Sequence, residues 1–145
     1  MKASGQYGLL GQKLGHSWSK SFFTSKFNDL GISASYENVE IESADLMSRV
    51  LLLEFNGLNV TVPYKEAVIP LLDTLSESAK QIGAVNCIER RGKKLIGHNT
   101  DALGFKSSLR PFLKQVHRKA LILGTGGSSK AIAYVLDGLG IEYLF

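Results

Sequence analysis

The chain has 145 residues, 44% of them hydrophobic and 21% charged, with 15 glycines. That length allows one domain or two incomplete ones, and that composition excludes disordered, collagen-like and low-complexity classes. A single cysteine, Cys87, and three histidines without ligand spacing exclude an internal disulfide and point away from a bound metal, while a net charge of +4 without interleaved aromatics or a known fold signature gives no reason to expect nucleic acid.

Strand and helix signals alternate from the start. Tyr7 to Gly11 reads as a short buried strand. A helix follows from Ser17 or Ser19, hydroxyl-capped, with an apolar face of Phe22, Phe23, Phe27 and Leu30 and a stop at Gly31. Tyr36, Val39 and Ile41 mark a second strand, and Ser43 is expected to cap a helix through Leu46, Val50 and Leu53. Gly57 opens the strand Leu58 to Val62, which Pro63 stops. A short helix from Tyr64 runs to Pro70, a further one spans Ser76 to Ile82, and Ala84 to Glu89 reads as a strand that pairs through the turn 90–93 with Lys94 to Gly97. Asn99, Thr100 and Asp101 begin a helix near Ala102, broken at Pro111. Strand Lys119 to Leu123, the glycine turn 124–129, a helix to Leu139 and a strand from Ile141 to Phe145 complete a βαβ unit. The expected fold class is therefore α/β. A mixed, mainly parallel sheet flanked by helices is followed by the first βαβ of a Rossmann-like domain.

No apolar run approaches the ~20 residues that span a bilayer, and the first fifteen residues hold no block long enough for a signal peptide, so a cytoplasmic chain with no membrane attachment is the expectation. Between Ala102 and Leu136 there is no acidic residue, while Lys106, Arg110, Lys114, Arg118, Lys119 and Lys130 all carry positive charge. This stretch is either a solvated helix face or a positive field beside a phosphate-bearing ligand.

Several clusters could carry chemistry. In the turn Gly124-Thr125-Gly126-Gly127-Ser128-Ser129, the glycines at 124 and 126 meet the needs of a dinucleotide fingerprint, a tight turn and close backbone approach to a phosphate. Lys65 follows Asn59-Val60-Thr61-Val62-Pro63-Tyr64, where strand alternation sets Asn59 and Thr61 on one face behind it. It is either a surface cation or one member of a trio that grips vicinal hydroxyls. Asp101 is either a helix cap or, if it meets Lys65, the carboxylate of an acid/base pair. Ser17 and Ser19 either cap the first helix or bind a carboxylate beside free helix amides. Asn86 is either an edge hydrogen-bonding group or a ligand contact, and Cys87 reads as a core thiol.

Taken together, the stretches 11–19, 57–65, 83–86, 99–104 and 124–128 resemble the shikimate dehydrogenase family along the whole chain. Lys20 departs from the family pattern, which places proline there. The resemblance implies NADP-dependent, reversible reduction of 3-dehydroshikimate to shikimate in aromatic amino acid biosynthesis. It implies Lys65 and Asp101 as catalytic residues, with Ser17, Ser19, Asn59, Thr61, Asn86 and the catalytic pair itself as substrate-binding groups. It also implies Gly124, Thr125, Gly126, Gly127, Ser128 and Ser129 as the NADP site. A shikimate-binding catalytic domain over 1–103 and a truncated NADP-binding domain over 104–145 follow, with a small-molecule substrate as partner and a homodimer left open. The alternatives are a quinate/shikimate relative and a non-catalytic shikimate-binding module. Because the resemblance covers only about the first half of a family member, the chain is expected to be a fragment that binds NADP weakly or not at all, with its last sheet either self-associating or disordered.

Overall fold

The computed structural model describes residues 4–51 and 54–145. It is an α/β molecule in which two sheets are flanked by helices. Strand β1 (Ser4–Gly11) lies between β2 (Ser33–Glu40) and β3 (Gly57–Val60), parallel to both. Beyond β3 come β5 (Cys87–Arg91) and β6 (Lys94–His98), each antiparallel to its predecessor, and the short β4 (Thr74–Leu75) returns parallel to β6, giving the order β2-β1-β3-β5-β6-β4. Three of these five pairings are parallel, so the sheet is mixed and mainly parallel as expected.

The two faces of this sheet explain why Leu9 and Leu10, consecutive in β1, are both apolar. Adjacent residues of a strand point to opposite faces. Leu10 is buried with Leu58, Val60, Tyr64, Val68 and Val85 on one side, while Leu9 is buried with Leu14 and Tyr36 under Phe23 and Phe27 of α1 (Ser19–Asp29) on the other. Both layers are apolar, so no polar alternation survives in the sequence.

Several expected boundaries move. The N-cap of α1 is Trp18 in helical conformation without a side-chain cap; Ser17 Oγ instead accepts the Ser19 amide at 3.3 Å from one position earlier. Leu30 does not join the apolar face and is 61% exposed. Ser43 is not a cap either: it starts a 3₁₀ turn, with Glu42 at the capping position, ahead of α2 (Leu46–Val50). Leu46 and Val50 are buried as expected, and Leu53 lies outside the described residues. Strand β3 ends at Val60, two residues early, ahead of the cis Val62–Pro63 peptide. The strand expected from Ala84 begins only at Cys87, because the Val85 amide leaves the ladder and donates to the Lys65 carbonyl at 2.7 Å. Strand β4 has no counterpart in the sequence reading; two residues give no periodicity to read.

Helix α3 (Tyr64–Ala67) follows the proline, and the helix expected over Ser76 to Ile82 is α4 (Glu77–Ile82), with Ser76 as its cap, the hydroxyl accepting the Ala79 amide. Helix α5 (Asp101–Leu109) runs into a 3₁₀ turn at Arg110–Phe112, the break set by Pro111. Parallel strands β7 (Lys119–Leu121) and β8 (Glu142–Leu144) are joined by α6 (Gly127–Gly138), the βαβ unit expected. The small lobe meets the large one through a cluster of Ile82, Ala84, Ala102, Ala131 and Val135, drawn from α4, the Ala84 segment, α5 and α6. Among the described residues, no helix is long and apolar enough to cross a membrane.

Candidate active site

Two backbone bonds place Lys65. At the end of β3, Val60 donates its amide to the Asn86 carbonyl at 2.8 Å, and the Lys65 carbonyl accepts from Val85. These bracket the bend through Pro63, so α3 starts beside the Ala84–Asn86 segment. Tyr64 anchors that start: its ring is fully buried and its hydroxyl donates to the Ile41 carbonyl. The Lys65 side chain is 13% exposed, and its ammonium donates to Asp101 Oδ2 at 2.6 Å and to Ser128 Oγ at 2.9 Å. Partial burial strengthens the ion pair relative to a solvated one. An ammonium has three donors, and one remains for a third acceptor.

Asp101 is not a helix cap. The cap position is Thr100, and the helix start is held from one position earlier by Asn99, whose Oδ1 accepts the Ala102 amide at 3.3 Å while its amide nitrogen is tied to the Ala84 carbonyl. The Asp101 carboxylate is therefore free to turn inward, where Oδ1 accepts from Asn86 Nδ2 at 2.7 Å. Asn86 is buried, and its carbonyl oxygen accepts the Thr100 amide at 2.8 Å. The Asn86 side chain cannot rotate away without leaving its own buried amide unpaired. The acid and the amide are thus locked together, and the lysine is locked to the acid.

Ser17, Ser19 and Thr61 line a separate cavity of about 580 Å³ with Lys13, Leu14, Gly15 and His16. Glu40 shapes its rim by accepting the Leu14 amide at 2.6 Å. Lys13, a cation beside two hydroxyls, equips the cavity for a carboxylate. Asn59 does not line it. Its side-chain oxygen accepts from the Tyr36 hydroxyl at 2.9 Å, and it faces a second cavity of about 560 Å³ beneath Phe23 and Phe27. Burial pushes the Tyr36 phenol up to about 12, opposed by a hydrogen bond with Ser19, so this ring connects Asn59 to the serine cavity. Tyr36 reads in the sequence only as a strand hydrophobe, and no spacing marks it as a partner of Asn59. The serine cavity and the lysine pair remain close in the chain path, since Thr61 sits between Val60 and Lys65.

In the glycine turn, Gly124 has φ +119°, a conformation that only glycine adopts freely, and Gly126 is extended and open to space on its side-chain side. Ser129 is buried. The first amides of the twelve-residue α6 have no carbonyl one turn earlier to accept them, which suits a phosphate. Ser128 departs from that picture, with its hydroxyl on Lys65. Of the basic stretch, Lys106, Arg110, Lys114, Arg118 and Lys119 are exposed, in line with the solvated reading, though Lys119 lies 3.7 Å from Glu142, and Lys130 pairs with Glu66 at 2.6 Å. Among the described residues no His, Cys, Asp and Glu group is arranged to hold a metal.

Residues 9–88 match the family model described as the shikimate dehydrogenase substrate binding domain. The chain belongs to the shikimate dehydrogenase family. It is 44% identical to the shikimate dehydrogenase (NADP(+)) of Halothermothrix orenii, over 95% of this chain and 50% of that protein. Shikimate dehydrogenase 1 of Peptoclostridium difficile superimposes with a TM-score of 0.87 at 42% identity, covering 94% of this chain and 52% of that one. The Thermus thermophilus shikimate 5-dehydrogenase, solved with NADP(H) and shikimate, gives 0.85 at 34% identity, covering 95% and 54%. The chain thus spans about half the length of the shikimate dehydrogenases it matches.

Proposed function

We propose that this chain is the substrate-binding half, with the start of the nucleotide domain, of an NADP-dependent shikimate dehydrogenase that interconverts 3-dehydroshikimate and shikimate. The observation that carries the reading is the Lys65–Asp101 pair, two groups 36 positions apart brought to 2.6 Å, with Thr61 of the hydroxyl cavity just ahead of Lys65 in the chain. Residues 1–103 form the catalytic domain in this reading and 104–145 the opening of the cofactor domain. In this reading Ser17 and Ser19 hold the substrate carboxylate, Thr61, Asn86 and Asp101 serve the ring hydroxyls, and Asn59 acts on the pocket from behind, through Tyr36.

NADPH, when bound, supplies the hydride, and the glycine turn 124–129 would hold its phosphates. The chain's own part is proton transfer and alignment. Lys65 presents its third N–H to the ketone oxygen and donates a proton as that oxygen becomes a hydroxyl; in the reverse direction it takes the proton back. Asp101 keeps the ammonium oriented, and Asn86 keeps Asp101 oriented. The bent chain between Val60 and Lys65 fixes the distance from hydroxyl cavity to proton donor, the alignment on which such a transfer depends. A cytoplasmic location and a dimeric state belong to the same reading.

Calorimetric titration of the 145-residue chain with shikimate and with quinate tests it. Shikimate is expected to bind, quinate more weakly, and Asp101→Asn to lose about tenfold in shikimate affinity, ~1.4 kcal/mol, the worth of a charge-assisted hydrogen bond. Absence of shikimate binding, or equal affinity in Asp101→Asn, contradicts the reading.

A further inference from the structure

Gly127 poses a problem that phosphate binding does not solve. It lies at the first position of α6, outside the left-handed region, so its backbone does not require glycine, and glycine inside a helix is a cost relative to alanine. What requires it is space. A Cβ at 127 would stand 2.9 Å from Lys65 Cβ and 3.1 Å from Ala84 Cβ, whereas a Cβ at the neighbouring Gly126 would meet nothing within 4 Å. The two glycines therefore serve different neighbours: Gly126 leaves room in the open turn, and Gly127 lets α6 sit directly on the stem of Lys65.

The next residues complete the contact. Ser128 Oγ accepts from Lys65 Nζ at 2.9 Å, and Lys130 Nζ donates to Glu66 Oε2 at 2.6 Å. Consecutive residues of α3 thus grip the first turn of α6, one through its ammonium and one through its carboxylate. The apolar cluster of Ile82, Ala84, Ala102, Ala131 and Val135 backs the same junction. Lys65 is held at its backbone by Val85, and at its ammonium by Asp101 and Ser128.

We propose that Ser128 is a positioning residue for Lys65, and that Gly127 is glycine so that the first turn of the nucleotide helix can seat on the lysine stem. The turn and the proton-transfer pair then form one mechanical unit. This rests on the reading of Lys65 as the acid/base group. The serine hydroxyl supplies the second fixed acceptor, so the ammonium has one orientation instead of swinging about Asp101, and displacement of the turn is felt at the reacting proton. A hydroxyl used in this way is unavailable as a phosphate ligand, in contrast to the role the sequence pattern suggests for it.

The test is acetylation footprinting of the 145-residue chain with limiting acetic anhydride, read residue by residue by mass spectrometry. Ser128→Ala is expected to raise labelling of Lys65 about fivefold relative to the exposed Lys106, the effect of losing one net hydrogen bond. Ser128→Thr, which restores the hydroxyl, is expected to return it to the wild-type level, and Gly127→Ala to act like Ser128→Ala. Unchanged Lys65 labelling in Ser128→Ala overturns the proposal. So does an equal rise at Lys20, whose ion pair with Glu37 is remote from the junction, because that marks general loosening. The footprint needs no substrate. A chain that binds shikimate while Lys65 ignores Ser128 sinks this inference alone; one whose Lys65 responds but which binds no shikimate sinks the dehydrogenase reading.

Discussion

Tyr36 illustrates how one side chain ties packing to chemistry. Its ring stacks on Phe23 with centroids 4.6 Å apart, in the layer beneath α1, and its hydroxyl ends on Asn59. Because burial raises its phenol to about 12, the unfolded chain releases this proton near pH 10 before the folded one does. The folded state then binds more protons across that window, so this group's stabilisation is complete below pH 10 and is lost as pH rises toward 12. Urea midpoints measured across this range are expected to fall in the wild type and to fall less in Tyr36→Phe; identical pH slopes contradict the assignment. At this scale the sequence was legible where a residue's type carries its role. Lys65, Asp101 and Asn86 were marked by charge or amide beside strand ends, and the structure brings them together. Tyr36, Thr100 and the Ser128 contact were not, since each depends on a partner distant in the chain.

Among the elements, the segment between α4 and β5 does most to form the site. Gly83 closes α4 in the left-handed region at φ +70° and redirects the chain, so that Ala84 packs under α6, Val85 bonds Lys65 and Asn86 reaches Asp101. Replacing it with alanine forces a Cβ into that conformation and is expected to cost about 1–2 kcal/mol of stability. Chemical denaturation reads the loss, and a cost near zero would mean the turn is not constrained. The reading of 84–86 as strand failed for the same reason the segment is useful. Ala84 and Val85 are apolar like a strand, but the Val85 amide serves the Lys65 carbonyl instead of a regular ladder. The hairpin β5–β6, with Gly92 at its turn, and the capped α4 were legible because their signals are local. The helix starts at Ser17 and Ser43 misled because a hydroxyl near a helix start need not be its cap.

For the whole molecule, the alternation of strands and helices foretold the α/β class and the final βαβ, while the order of strands in the large sheet followed from tertiary pairing and was not readable. The small lobe buries Ile122, Ala133, Leu136 and Ile141 on one side and leaves Leu121, Leu123 and Leu144 exposed on the other, an apolar surface of the kind that interfaces cover. The two lobes meet at Lys65, whose ammonium reaches Asp101 and Ser128; in the proposed reading the hydroxyl cavity, the acid/base pair and the nucleotide turn converge there. Amide chemical-shift mapping by NMR during a shikimate titration of this chain tests that convergence most directly. The account predicts that the largest shifts fall together on Ser17, Ser19, Thr61, Lys65, Asn86 and Asp101, with Ser128 following. Shifts confined to the cavity beneath Phe23 and Phe27, or no shifts at all, would contradict it.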